Sequence, residues 1–549
     1  MAFHQVMKRL FLSSCAVSFL TLTASAFSGK TLYHYVAYHA AFWPKALPAT
    51  AENYPKVALA GLDSLKFDTL VFAPTFGFGS MAAKLSSADF PTVQPASDSK
   101  WLAAYRNAMP ELAQKGIDPL AETVKWCRKN KKEAVVALPV NLLIHGARPG
   151  GARNTPGSWY SYLWPSFKTK NPDALMSPDG KTGTPHANPV AVDYGSAKVR
   201  DKFAAIACEI AGKYDIDGLM VDFMMNPTLF RSVAMGGKAE PKEVEALTQM
   251  MQKIGAACKG AATRLGHPVA FCARVPDSVG FCKDIGINLQ GWFDAKLLDA
   301  VVLGGGFQLN RWNVTGDLAR KAGIPFYVSF VGSGIYVGND SGYAGDDERL
   351  PRQSRPTYAA RIADALLCQA SGCMYTMALH HEIGWISHGA VAPFDAAANR
   401  RADKRYFVCY TNDRAAGNVL KDGTKYVGVE SLLSNSPIAL TKGVAKYHVN
   451  VWDDAAALKG EGGGAPKATL ITEVSIPSGM ETVVTFNGKE LKPFKKRAGT
   501  QLYEIPQGLL RPGANEVTVK AKGKNRRGEI AKLGNIAVEL AYPKKEGGK

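Results

Sequence analysis

The chain has 549 residues, 66 Lys plus Arg against 47 Asp plus Glu, and a formal net charge of +19. At roughly 100–200 residues per domain, this length favours two to four domains. Hydrophobic residues make up 46% and charged residues 21%, which excludes wholesale disorder. Beyond the N-terminus no apolar run approaches the roughly 18–20 residues of a transmembrane helix, so we expect no transmembrane segment.

The N-terminus is typical of an export signal. A basic pair, Lys8-Arg9, precedes an apolar run that reaches Leu22, and Ala24-Ser25-Ala26 is a small-residue cleavage site. Cys15 lies in a stretch that also fits a lipoprotein box, but the charges are too close to it and the apolar run continues past it. We therefore expect a signal peptide over 1–26, cleavage near Ala26 in preference to lipidation, and a secreted or periplasmic protein.

The remaining cysteines are scattered over apolar patterns. They form no C-x-x-C pair and no histidine lies at a spacing suited to zinc. We expect buried thiols, with room for one or two disulfides, and neither a metal nor another cofactor. These cysteines are Cys127, Cys208, Cys258, Cys272, Cys282, Cys368, Cys373 and Cys409.

Eight short β-branched or aromatic runs alternate with segments of helical period up to about Ala370. Between two of the runs, Val199, Phe203, Ile206 and Ile210 form one apolar helix stripe. Eight alternations predict a (β/α)8 barrel over residues 27–405. A doubly wound sheet alternates in the same way, but no Gly-rich phosphate loop follows the first run. The runs are Thr31–Ala37, Phe67–Ala73, Ala134–Val140, Gly218–Phe223, Pro268–Val275, Ala300–Leu303, Pro325–Phe330 and Cys373–Met377.

The character of the chain changes over residues 406–549. Val517, Val519 and Ala521 alternate with polar residues, which predicts a half-buried strand. Asn487-Gly488 is a hairpin signal, because both positions tolerate positive φ. This part is predicted to be an all-β sandwich.

Function in a (β/α)8 barrel lies at the carboxyl ends of its strands. Asp222 lies at the carboxyl end of the fourth run, on the same face as Gly218 and Met220 and nearest the mouth. It could act as a general acid, a general base or a nucleophile, or serve only as a helix cap or ion-pair partner. Asn141 and His145 follow the third run; the histidine could transfer protons, and the amide could orient a hydroxyl or a water.

Further candidates follow other runs. Glu382 is the alternate carboxylate after the eighth run, and no third ligand for a metal is evident beside the two neighbouring histidines. The long loop after the third run is rich in aromatic residues, whose exposed faces suit sugar rings, although it could equally cover the mouth with its own small core. Gly304-Gly305-Gly306 indicates a close backbone approach at the barrel rim. The other candidate substrate contacts are His39, Trp159, Trp164, Arg274, His381 and Trp385.

Three segments resemble bacterial (β/α)8 glycoside hydrolases, especially the hydrolase-like proteins of planctomycetes and verrucomicrobia, to which the family 156 sialidases look related. The stretch 193–200 resembles L-D-Y…P-E-V-R, 214–223 resembles Y-D-V-D-G…L-D-F, and 274–292 resembles R-V-P…C…G…W. Asn141 and His145 fall where such proteins carry N-D-x-H-D. The resemblance covers most of residues 130–305 and implies a carbohydrate substrate and a site around Asp222.

Two departures separate this chain from that pattern. Relatives often read L-D-F-x-R-H-P, whereas Met225 stands here in place of the arginine, which could grip a carboxylate in a fork. Arg274 or Arg311 could take the place of that arginine and bind the carboxylate of a sialic acid. Leu142 and Gly146 replace the aspartates of N-D-x-H-D.

These observations together predict a secreted glycoside hydrolase that degrades a polysaccharide, with a sialidase as the alternative enzyme. A non-catalytic glycan-binding protein and a surface structural protein stay open. Eleven of the nineteen net positive charges lie between Arg400 and Lys549. Export and the lack of a nucleic-acid motif favour an anionic glycan or cell envelope over nucleic acid as the partner.

Overall fold

A closed barrel and a β-sandwich make up the computed structural model of the chain. The structure describes residues 27–36, 43–76, 78–80, 82–89, 104–141, 165–179, 183–224, 226–305, 307–331, 355–376, 391–396, 399, 404–408, 413–430, 432, 437–441, 444–453, 464–497, 499–525 and 527–543.

The barrel has eight parallel strands, each hydrogen-bonded to its neighbour in chain order, and the first strand pairs with the last. All eight strands coincide with the predicted runs to within one or two residues, so the (β/α)8 prediction is confirmed and the doubly wound alternative is wrong. The strands β1 to β8 are Thr31–Val36, Thr69–Ala73, Glu133–Pro139, Gly218–Asp222, Ala270–Val275, Ala300–Leu303, Phe326–Val331 and Gly372–Thr376.

Helices α1 to α12 connect these strands and lead into the sandwich. Helix α7 begins with a reciprocal capping box between Glu240 and Glu243, and ends at Gly266, whose φ is +75°. The predicted apolar stripe lies buried on α5. The helices are Asn53–Ala58, Met109–Gln114, Pro119–Lys129, Ser166–Lys170, Ala197–Lys213, Arg231–Ala234, Pro241–Leu265, Val279–Asp284, Leu289–Asp294, Trp312–Lys321, Arg355–Leu367 and Asp413–Val419. No described helix is both long and apolar enough to span a bilayer.

The strand registers sort the inward side chains into layers of four, taken from alternate strands as in other barrels of this kind. The layers change from apolar to polar towards the carboxyl ends. One apolar layer contains Leu32, Val135, Cys272 and Tyr327, and the next contains Val71, Met220, Val302 and Met374. Above them, one polar layer contains His34, Ala137, Arg274 and Ser329, and the next contains Ala73, Asp222, Gly304 and Thr376.

The C-terminal part forms two packed antiparallel sheets, which confirms the predicted sandwich. Asn487 and Gly488 both have positive φ in the predicted hairpin, at +47° and +83°. One sheet has the order β9-β18-β12-β16-β15, with β10 beside β18, and the other has the order β11-β17-β13-β14. Strands β9 to β18 are Lys404–Val408, Ile438–Ala439, Ala445–Val451, Lys467–Ser475, Met480–Phe486, Lys489–Leu491, Pro493–Arg497, Thr500–Glu504, Gly513–Gly523 and Lys532–Ala541.

The segment 413–428, which follows the first sandwich strand, returns to the barrel. Tyr426 packs edge-on against Phe281, and its hydroxyl donates to Asp284, on the helix that follows β5. The backbone NH of Gly428 donates to the carbonyl of Leu309, beyond β6, at 2.7 Å. The sandwich therefore contributes a segment that lies on the carboxyl-end face of the barrel.

Seven cysteines fall within the described part of the chain, and all of them are free thiols. Six are buried, as predicted, and Cys208 is half-buried. Burial raises the pKa of these thiols, for example to about 12 for Cys127 and Cys258, so they are inert apolar side chains at neutral pH. Cys409 lies outside the described residues.

Candidate active site

An ion pair lies on the barrel axis at the carboxyl ends of β4 and β5. Arg274 Nη1 donates to Asp222 Oδ2 at 3.1 Å, and the backbone NH of Met224 donates to Asp222 Oδ1 at 2.9 Å. Only 1% of the Asp222 side chain and 2% of the Arg274 side chain are exposed. Both oxygens of Asp222 act as acceptors, so this carboxylate is arranged to face positive charge rather than to donate a proton.

A glycine backbone holds the guanidinium in place. Arg274 Nε donates to the carbonyl of Gly304 at 3.3 Å, and Gly304 has a φ of +81°. A Cβ on Gly305 would lie 2.6 Å from Arg274 Nη2 and 2.7 Å from the Cβ of Met224. The close backbone approach predicted for this glycine run is confirmed at Gly305, and it packs directly against the ion pair.

His34 completes the polar layer from the opposite side of the barrel. It lies on β1, across the axis from Arg274 on β5, and its side chain is fully buried. Burial lowers the pKa of His34 to about 4; the nearby Asp222 carboxylate acts against this, and Arg274 adds to it. The imidazole is therefore neutral at neutral pH. Neither ring nitrogen has a hydrogen-bond partner among the described residues.

His34 is not among the site residues predicted from the sequence, which include His39 beyond the same strand. A signal was present: in a strand of period two, Leu32 and His34 share one face, and the neighbouring Tyr33 and Tyr35 face the helices. A histidine on the inward face of a barrel strand, two residues before its end, is a candidate for the mouth.

Two hydroxyls close the ring of polar groups between β7 and β8. Ser329 Oγ and Thr376 Oγ1 are 2.8 Å apart, and both side chains are buried. The remaining positions of the two polar layers are Ala73, Ala137 and Gly304, which are small. Small residues there leave the imidazole, the ion pair and the hydroxyls as the groups that face the axis.

Asn141 occupies the predicted place after β3, but its amide binds protein. Its Nδ2 donates to the carbonyls of Val192 and Thr228 at 3.0 and 3.3 Å, and its Oδ1 accepts from the backbone NH of Val192 at 3.0 Å. These contacts tie together the loops after β3 and β4. The structure thus assigns Asn141 a role in holding the rim, and its contact with substrate stays a prediction.

Asp277 is a second buried carboxylate at this end of the barrel, and its role is structural. It accepts from the backbone NH groups of Leu309 and Asn310 at distances of 2.9 and 3.1 Å. Burial raises the pKa of Asp277 to about 6, against the effect of these hydrogen bonds. Arg311, named as a substitute for the missing arginine, is held elsewhere: it pairs with Asp364 at 3.3 Å and stacks on Trp452.

Seven of the predicted site residues lie outside the described residues. The structure therefore brings together Asp222 and Arg274 from the predicted set and adds His34 to them. No group of three or more potential metal ligands occurs within the described ranges. The seven residues are His39, His145, Trp159, Trp164, His381, Glu382 and Trp385.

The fold and this polar mouth define a barrel protein with an ionisable centre at the carboxyl ends of its strands.

No family model and no curated protein matches the sequence. Among solved structures, the chain is similar to a glycoside hydrolase family 18 N-acetylglucosaminidase from Paenibacillus barengoltzii, with 9% identity and a TM-score of 0.33 over 66% of this chain and 99% of that one. It is also similar to a bacterial fucosidase, with 10% identity, a TM-score of 0.34 and coverage of 91% and 93%. The glycoside hydrolase domain of PgaB from Bordetella bronchiseptica shows 10% identity, a TM-score of 0.35 and coverage of 68% and 98%. Likeness at this level says nothing about the reaction or the substrate.

Proposed function

We propose that this protein is a glycoside hydrolase that binds a carbohydrate at the carboxyl-end face of its barrel. The observation that carries the proposal is the Asp222 carboxylate, which lies in the uppermost of the polar layers with both oxygens acting as acceptors. Cleavage of a glycosidic bond passes through an oxocarbenium-like state that carries positive charge on the sugar ring. A carboxylate held at the mouth stabilises that charge, either electrostatically or by forming a bond to the anomeric carbon.

Arg274 and Gly305 support this role by setting the orientation of the carboxylate. The guanidinium donates to one carboxylate oxygen from the layer below. The carbonyl of Gly304 accepts from the same guanidinium, and the backbone of Gly305 packs against it. Because Arg274 is engaged with Asp222, it is not arranged as a free fork for the carboxylate of a sialic acid. We therefore do not propose sialidase activity for this chain.

The test compares wild type with Asp222→Asn on a panel of glycans and aryl glycosides. Removing a carboxylate that acts in the transition state is expected to lower kcat/KM by about 100-fold or more. Asp277→Asn is the matched control, because it neutralises another buried carboxylate at the same end of the barrel. This control is expected to lose stability and keep kcat/KM. Full activity of Asp222→Asn would remove Asp222 from the mechanism.

Non-catalytic glycan binding is the second candidate, and the burial of the ion pair favours it. Only 1% of the Asp222 side chain is exposed, so it is shielded from a substrate in this structure. Such shielding is expected of a barrel that has kept its fold and lost its catalytic activity. Affinity electrophoresis separates the two functions: retardation by a glycan without product from any member of the panel would favour binding alone.

We further propose that the protein is exported and meets an anionic glycan or cell envelope. Support comes from the charge and apolar order of residues 1–26 and from the excess of basic residues after Arg400. Expression of the full chain in a bacterial host with a Sec pathway, followed by N-terminal sequencing of the periplasmic protein, tests the first part. A start at Phe27 is expected, and retention in the cytoplasm with Met1 intact would contradict it.

A further inference from the structure

The imidazole of His34 is a buried polar group, and within the described ranges neither of its nitrogens has a hydrogen-bond partner. Buried polar side chains in native proteins are nearly always hydrogen-bonded, and an exception calls for a bound water, a ligand or a catalytic role. Packing alone does not explain a histidine here, because the corresponding positions in the layers below are taken by apolar residues such as Leu32 on the same strand. A histidine that only filled space would lose its water contacts without replacement, which is unfavourable in a buried position.

The surroundings of His34 are those of the proposed reaction. It shares a layer with Arg274 and lies directly below the layer of Asp222, and both charges act on it electrostatically. The hydroxyl pair of Ser329 and Thr376 lies on the two strands that close the barrel beside β1. A buried water requires two to four polar partners, and the imidazole and these two hydroxyls are polar groups that face the same part of the axis.

We propose that His34 holds the hydrolytic water and accepts its proton, an inference that rests on the proposed glycoside hydrolase function. The unprotonated ring nitrogen takes a proton from the water while the water oxygen forms the bond to the anomeric carbon. The bond from that carbon to the leaving oxygen breaks, and the leaving oxygen keeps the electron pair and takes a proton from solvent. The imidazolium then returns its proton to solvent, and Asp222 faces the positive charge on the ring throughout.

The experiment measures kcat and KM for wild type, His34→Gln and His34→Ala on aryl glycosides, with and without added imidazole. Loss of a general base is expected to lower kcat by about 100-fold or more, with KM nearly unchanged. Imidazole enters the space left in His34→Ala and is expected to restore kcat by about 10-fold or more. A merely structural histidine would not give this rescue.

Two substrates with different leaving groups separate a base from an acid. A general base for water is needed whatever the leaving group, so His34→Ala is expected to lose similar factors of kcat on a dinitrophenyl glycoside and on an unactivated phenyl glycoside. A loss confined to the unactivated substrate would assign His34 to the leaving group and overturn the proposal.

Val71→Ala is the matched control for packing, because Val71 is fully buried in the apolar layer below. It is expected to lower the melting temperature and keep kcat/KM. If wild type is active and both His34→Gln and His34→Ala keep kcat within about 3-fold of it, the proposed role of His34 is overturned. The proposed glycoside hydrolase function would then still stand. A wild type that cleaves none of the panel overturns the proposed function, and this inference with it.

Discussion

His34 loses its water shell on folding, so protonating its imidazole lowers the free energy of unfolding. Its pKa is about 4 in the folded protein, against 6.5 for the free side chain. Between these values the unfolded chain takes up a proton that the folded chain does not, so this histidine destabilises the fold as the pH falls from 6.5 towards 4. The shift corresponds to about 3 kcal/mol, present in full only at the acid end of the window.

A pH series of urea unfolding experiments measures this effect. His34→Gln cannot take up the proton, so the difference in unfolding free energy between variant and wild type is expected to move by about 2 to 3 kcal/mol in favour of the variant between pH 7.5 and pH 4.5. The comparison cancels all other titrating groups. A difference that stays constant with pH would mean that the folded protein accommodates an imidazolium at this position.

Gly305 shows how a single missing methyl group shapes the site. A Cβ there would lie 2.7 Å from the Cβ of Met224, which cannot rotate away, and 2.6 Å from the guanidinium of Arg274. Gly305→Ala is therefore expected to cost about 1–3 kcal/mol of unfolding free energy and to displace Arg274 from Asp222. Chemical denaturation and kcat/KM together check this. Unchanged stability and activity would mean that the rim is loose enough to admit the methyl group.

At the scale of elements, the turn between β13 and β14 depends on backbone conformation alone. Gly488 has a φ of +83°, and apart from its two chain neighbours no described residue has an atom within 4 Å of the place where a Cβ would be. Gly488→Ala is expected to destabilise the sandwich by about 1–2 kcal/mol, because an L-residue is strained in the left-handed region. Gly260, exposed on helix α7 and equally open, is the control: Gly260→Ala is expected to stabilise by about 0.5–1 kcal/mol. Thermal unfolding of both variants checks the two opposite signs, and a common sign would contradict the argument.

The whole molecule is joined by packing between its two parts as well as by the chain. Ala360 on helix α11 of the barrel belongs to the same apolar cluster as Phe407 of the sandwich. Arg311 of the barrel lies 3.4 Å above the ring of Trp452 in the sandwich, and it also pairs with Asp364. Since these contacts link the two cores, loss of one part exposes apolar surface on the other.

Calorimetry is expected to show the two parts unfolding together, and Arg311→Met is expected to weaken that coupling. The variant loses the cation–π contact with Trp452 and the ion pair with Asp364, at a cost of about 1–2 kcal/mol. Arg320→Met, on the helix that begins directly after Arg311, is the control. Arg320 forms an exposed pair with Asp317, so its replacement is expected to have an effect within about 0.5 kcal/mol. Equal behaviour of the two variants would show that the interface does not depend on Arg311.

The eight strands, the helix stripe and the Asn487-Gly488 hairpin follow from the sequence itself, because they depend on neighbours within a few residues. Side-chain periods of 2 and 3.6 mark which face of each element is buried, and positive φ marks the turn. The same local period placed Asp222 on the inward face nearest the mouth. The same period also places His34 on the inward face of the first strand, two residues before its end.

Tertiary structure alone decided what these residues do together. His34, Asp222 and Arg274 lie on strands up to 240 residues apart, and their meeting depends on the register of every strand between them around the closed barrel. The same closure gave Asn141 backbone partners in the connections after β3 and β4 and placed Arg311 under the sandwich. A sequence specifies the face of each strand through local periodicity, but burial, charge pairing and the lowered pKa of His34 arise only when distant strands exclude water from a common layer.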